Sequence, residues 1–187
     1  VVTLFGTYQI AANGVAQSIW SLAALAGVAM GPAFITVIGQ AMGSGDSELA
    51  ERLFVKMTKI TLLLSTLWNS LILALTPLFM MVFQLEPETK LLVIRLVLIH
   101  NIFNAFAFPL SGPLGNGLRA AGDVRFTMCI SIASTIGGRL IFSLLFAKVF
   151  RMGVTGIAFA MCLDWIIRAI LFWLRFRSGN WKRFRVI

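Results

Sequence analysis

The sequence predicts an all-α integral membrane protein of about five transmembrane helices, and three observations carry that prediction. Residues 1–45 contain no Asp, Glu, Lys or Arg, and four later blocks are nearly as free of charge. Block 60–85 has none, 96–118 holds only His100, 126–147 only Arg139, and 152–174 only Asp164 and Arg168. Of the 187 residues, 59% are hydrophobic and 12% charged, with a mean hydropathy of +0.91; that balance excludes an ordinary soluble domain. A bilayer core of roughly 30 Å needs about 20 apolar residues wound as a helix, because helical backbone satisfies its own polar groups there. Each block meets that length.

The predicted spans, forming one helix bundle over 1–176, are 12–42, 56–83, 91–117, 125–148 and 153–176, followed by a basic tail at 177–187. In the first span, Ala23, Gly27 and Gly31 form a small-residue ridge at four-residue spacing, with Pro32 next in line. Such ridges let transmembrane backbones approach closely, and a proline frees a carbonyl and kinks its helix. The group reads either as helix packing or as a hinge that moves during transport. Asn13, Gln17 and Gln40 are its amides.

The first connection, Gly43-Ser44-Gly45-Asp46-Ser47-Glu48, carries helix-stop and helix-start chemistry. Glycine can take the left-handed C-cap conformation, Asp46 or Ser47 can cap the next helix, and Glu48 and Glu51 suit its positive end. The connection after the third span, 115–123, ends in the same Gly-Asp pair, which points to an internal repeat of helix pairs. His100, Asn101 and Asn104 lie on the third span. With Trp20, Trp68, Phe103 and Phe106, these amides suggest a cavity that would suit amphipathic cations through cation–π contacts; packing and lipid contact are the ordinary alternatives.

Ionisable groups inside a membrane are costly unless paired or hydrated, so each is a functional candidate. Asp164 and Arg168 are spaced i,i+4 with the acid first, the favourable order; they read as a structural ion pair or as a proton or substrate relay. Arg139 has no opposite charge on its own helix. It reaches Asp164, caps carbonyls in a wet cavity, or pairs with a carboxylate outside this chain. His100 can titrate near neutrality or serve as a hydrogen-bonded packing residue.

The net charge of +9 reflects topology rather than nucleic acid. Ten basic residues (Arg52, Lys56, Lys59, Arg119, Arg125, Arg175, Arg177, Lys182, Arg183 and Arg185) lie on one side of the predicted bundle, against Lys90, Arg95, Lys148 and Arg151 on the other. The positive-inside bias places the ten, and the C-terminus, in the cytoplasm. Trp165, Trp173 and Trp181 read as interfacial anchors, and the tail as a segment held by anionic lipid. Cys129 and Cys162 lack metal-site or CxxC spacing and read as apolar packing. No enzyme motif is present: there is one His, no HExxH, no GxSxG and no P-loop. No metal or cofactor is expected.

Four segments resemble the multidrug and toxic compound extrusion (MATE) family. Gly39-Gln40-Ala41-Met42-Gly43-Ser44-Gly45-Asp46 is similar to the family signature closing an even-numbered helix, and 118–125 (LRAAGDVR) to its Arg-x-x-Gly-Asp loop. Gly156-Ile157-Ala158 with 163–169 (LDWIIRA) resembles its last helix, and 175–181 (RFRSGNW) its cytoplasmic end. The resemblance implies most of one six-helix lobe of a twelve-helix, two-lobe transporter, the eighth to twelfth spans, with an N-terminal lobe as partner. It implies export of small organic compounds, often cations, across a bacterial inner membrane in exchange for H+ or Na+. A lipid-linked oligosaccharide flippase of the same superfamily and a non-transporting scaffold are the alternatives. Asn104 stands where some members carry an acid, which moves any coupling carboxylate towards the N-terminal lobe. The residues expected along the substrate or ion pathway are Asn13, Gln17, His100, Asn104, Arg139, Asp164 and Arg168.

Overall fold

Apolar helices that cannot leave backbone groups bare in lipid must bundle, and the computed structural model, which describes residues 6–184, is such a bundle. Helix α1 (Thr7–Gly43) runs through Pro32. Helix α2 (Ser47–Val82) follows after a tight turn. Helices α3 (Pro87–Ser111) and α4 (Pro113–Ala120) form one span. The fourth span, Val124–Val149, comprises α5 (Val124–Ala133), a π-wound stretch Ser134–Ile141, α6 (Phe142–Leu144) and a second π-wound stretch Leu145–Val149. Helix α7 (Val154–Arg177) is the fifth span, and a 3₁₀ turn (Asn180–Arg183) follows. Among the described residues, five helices are thus long and apolar enough to cross a membrane. At 37 and 36 residues, α1 and α2 are about 55 Å long, well beyond a hydrocarbon core of roughly 30 Å.

The expected third span, 91–117, is broken near its end. Pro113 cannot donate to the helical ladder; the Gly112 N–H still reaches Phe108 O at 2.8 Å, and Asn116 N reopens the ladder on Gly112 O at 3.0 Å. The fourth span is not uniformly α-helical. Its wide turn coincides with Gly137-Gly138 and Arg139, and such insertions are enriched at functional sites.

Helix α3 packs against α1, α2 and α7, while the fourth span lies mainly along α7. Two glycines of the small-residue ridge sit at close approaches. A Cβ on Gly27 would sit 2.7 Å from Phe108 Cδ1, and one on Gly31 2.6 Å from Asn116 Nδ2. Gly156 lets α7 approach the backbone of Phe146 and Ala147, which a Cβ would meet at 2.7 and 2.8 Å. One apolar cluster, around Phe34, Phe54, Leu118, Phe172 and Trp181, closes the end that carries both Gly-Asp loops. A second, around Ile72, Val93, Leu96 and Val154, closes the opposite end. The outside is apolar too: Leu63 and Leu67 of α2 are each 61% exposed, as expected where lipid is the solvent.

Two anchor expectations are corrected. Trp165 is buried and stacks on Trp20 with ring centroids 5.8 Å apart. Trp181 is fully buried, edge-on to Phe54 at 4.9 Å, and its indole N–H donates to Phe176 O at 2.9 Å. An indole that satisfies its N–H inside the protein has no need of the lipid headgroups. The described part of the tail, to residue 184, therefore folds back on the bundle, and Lys182 pairs with Glu51 of α2. Arg185, counted among the ten basic residues, lies outside the described residues.

Candidate functional site: a polar cavity among α1, α3, the fourth span and α7

Four of the seven pathway residues meet in one place. Asn13 and Gln17, one turn apart on α1, His100 of α3 and Arg139 of the fourth span line a cavity of ≈ 220 Å³; Ile157, Ala158 and Met161 of α7 complete it. Four elements separated in sequence thus converge. His100 is 1% exposed, and neither ring nitrogen has a hydrogen-bond partner among the described residues. Buried polar groups normally find partners, so an unpartnered imidazole on a cavity wall marks where something polar can bind. Arg139 forms no ion pair among the described residues. Its Nη2 rests 2.8 Å from the Met161 sulfur, a weak acceptor.

The other candidates lie elsewhere. Asn104 does not face the cavity. Its amide donates to Ala23 O and to Asn69 Oδ1, both at 3.0 Å, while Asn69 Nδ2 donates to Ser65 O at 2.7 Å. The pair clamps α1, α2 and α3 together through buried amides. Asn69 was not singled out from the sequence, yet its signal was there: Thr61, Ser65 and Asn69 recur every four residues in the uncharged block 60–85, and all three are buried.

Asp164 is fully buried. Its Oδ2 accepts from Arg168 Nη2 at 2.7 Å, and its Oδ1 accepts from the Ser134 hydroxyl. Ser134 is a second residue that sequence reasoning missed, and no local spacing could have flagged it. Both carboxylate oxygens being occupied, Asp164 is not the partner of Arg139 here. Gln9, also unflagged, accepts from Val154 N at 3.1 Å and so secures the first turn of α7.

The aromatic residues do not gather around one cavity as anticipated. Trp20 stacks inward on Trp165, Trp68 donates to Leu22 O at 2.8 Å, and Phe106 is exposed. Phe103 instead lines a separate apolar pocket of ≈ 360 Å³ with Phe146, Met152, Phe159, Cys162, Leu163 and Ile166.

Comparison with known proteins gives the following. The family model described as MatE matches residues 1–145. The probable multidrug resistance protein NorM of Thermotoga maritima is 23% identical over 190 residues, an alignment covering 100% of this chain and 40% of that relative. The chain therefore spans about 40% of the length of the curated relative it matches. No solved structure gives a significant match.

Proposed function

The chain belongs to the MatE family, and from that premise we propose that it forms part of a secondary-active exporter of small organic compounds, cations among them, coupled to H+ or Na+. The observation that carries this reading is the cavity: four polar side chains from three spans meet inside a bundle whose outer surface is apolar. A merely structural bundle gains nothing from leaving the buried His100 imidazole without a partner among the described residues, since such a group costs free energy in a low-dielectric interior. Multidrug resistance, the property in the name of the Thermotoga relative, agrees with transport of chemically varied solutes.

In this reading the bundle rocks against the remainder of the full-length protein, exposing the cavity alternately to each side. Gly27 and Gly31 supply close packing to Phe108 and Asn116. The basic end with the two Gly-Asp loops and the tail faces the cytoplasm of a bacterial inner membrane, following the positive-inside bias. The coupling carboxylate belongs to the part of the protein beyond this chain, because Asp164 is saturated by Arg168 and Ser134.

The test is movement of a fluorescent organic cation in vesicles containing the full-length protein, under imposed H+ and Na+ gradients in turn. Movement of the cation that depends on one of the two gradients is expected. No movement under either gradient would sink the exporter reading.

A further inference from the structure

We propose that the cavity of Asn13, Gln17, His100 and Arg139 is a subsite for a carboxylate group; as part of the solute pathway, it rests on the exporter reading. Its inventory is one-sided. Arg139 offers five N–H donors and a fixed positive charge, His100 offers at least one N–H, and the two amides can each turn a donor inward. Among the described residues no carboxylate lines the cavity. Asp164, one of the partners open to Arg139 from the sequence, is held by Arg168 and Ser134. The remaining wall is Ile157, Ala158 and Met161, which screens little.

A cationic centre entering this space would meet the like charge of Arg139 at short range and be repelled by it. An anionic group would instead complete the guanidinium. Guanidinium geometry matches a carboxylate in a two-pronged contact. Size points the same way. At ≈ 220 Å³ the cavity falls below the roughly 300–1,000 Å³ of a drug-sized site. It holds a carboxylate and its stem, with the rest of the solute outside.

Two sources can provide that carboxylate: a zwitterionic solute, or an acidic side chain from the part of the full-length protein beyond this chain. Rhodamine B, which carries a free carboxylate, and its ethyl ester, which carries only the cation, make a matched fluorescent pair. Their binding to purified full-length protein is measured by anisotropy without any gradient, for wild type, Arg139→Lys and Arg139→Gln, alongside thermal unfolding of each. Taking the ratio of wild type to variant for each dye removes their different partitioning into detergent or lipid.

With a solute carboxylate, wild type prefers the acid, Arg139→Gln weakens the acid about 10- to 100-fold and leaves the ester unchanged, and Arg139→Lys falls between. With a protein carboxylate, the dyes do not differ, but Arg139→Gln unfolds several degrees lower because a buried acid is stranded. Either result supports the subsite. Dyes that bind alike, together with unchanged unfolding in Arg139→Gln, would overturn it. If Arg139→Gln fails to insert, the ratio of wild type to Arg139→Lys for each dye still compares the acid with the ester. Binding of the acid with no movement of either dye under a gradient would refute the exporter and leave the subsite intact.

Discussion

The two Gly-Asp loops begin alike and end differently. At the first, Gly45 has φ +78°, Gly45 N bonds to Met42 O at 3.0 Å and Asp46 N to Ala41 O at 3.2 Å. At the second, Gly122 has φ +93°, Gly122 N bonds to Arg119 O and Asp123 N to Leu118 O, both at 3.0 Å. Both are the same glycine-ended helix stop, in which paired N–H groups satisfy carbonyls that the helix leaves free. The carboxylates then part company. Asp46 is exposed, and its Oδ1 accepts from Leu49 N at 2.8 Å, an ordinary N-cap. Asp123 is buried, makes no side-chain cap, and takes both Nε and Nη2 of Arg175 at 2.6 and 3.2 Å. Arg175 lies in turn over the Phe126 ring, 4.7 Å from its centroid. Backbone shape at such a loop is a local matter. The use of the side chain depends on what the rest of the chain brings near it, here α7 alone.

A third aspartate, deeper in the bundle, gives the sharpest test of that lesson. Asp164→Asn should leave Arg168 uncompensated and lower stability by about 3–5 kcal/mol before water or snorkelling relieves it, read from unfolding in detergent. Adding Arg168→Gln should recover expression and transport together, because no net charge stays buried. A double variant that inserts and unfolds normally but has lost gradient-driven efflux would mean that the pair relays protons.

The next effect in size separates the loops themselves. Asp123→Asn should cost about 1.5–3 kcal/mol through its charge-assisted bonds to a partly exposed arginine, whereas Asp46→Asn should cost almost nothing, asparagine being an equally good N-cap. A double-mutant cycle of Asp123 with Arg175 should recover most of the larger loss as coupling. Equal losses at the two loops would erase the distinction.

Alanine at the two glycines probes the shared backbone. Both positions have positive φ, so each substitution carries a strain of about 1 kcal/mol. Gly122→Ala should cost more, since its Cβ would come 2.8 Å from Phe184 Cβ, whereas nothing lies within 4 Å at Gly45. The smallest change concerns sidedness. In a Cys129→Ser background, which removes the exposed native thiol, Cys placed at Gly179 should resist an impermeant reagent in intact cells and Cys placed at Glu88 should react. The reverse pattern would invert the bundle and move both Gly-Asp loops outside.

Some of this was legible along the chain because its causes are short-range. Uninterrupted apolar stretches set the five spans, since hydrocarbon tolerates little else. The Gly-Asp pairs announced helix stops, and Asp46 capped as expected. The Asp164–Arg168 pair followed from a spacing of four residues on one helix face. Gly27 and Gly31 declared a close approach without naming Phe108 and Asn116 as the groups that fill it.

What escaped involves partners far apart in sequence. Nothing near Asp123 announces Arg175, 52 residues on, and nothing near Trp181 shows that it would turn inward to Phe54. Asn104 looked like a pathway residue because an amide in a membrane span invites that reading, yet α1 and α2 reach it first and use both its amide hydrogens. By itself the sequence determined which segments leave water and where the helices stop at the two Gly-Asp loops, because solvation and capping act over a few residues. Only the tertiary structure decided which polar groups spend their hydrogen bonds on one another, as Asn69 and Asn104 do, and which face a cavity unspent, as His100 and Arg139 do. That choice depends on how helices separated in sequence are turned about their axes when packed, and no single helix contains that information.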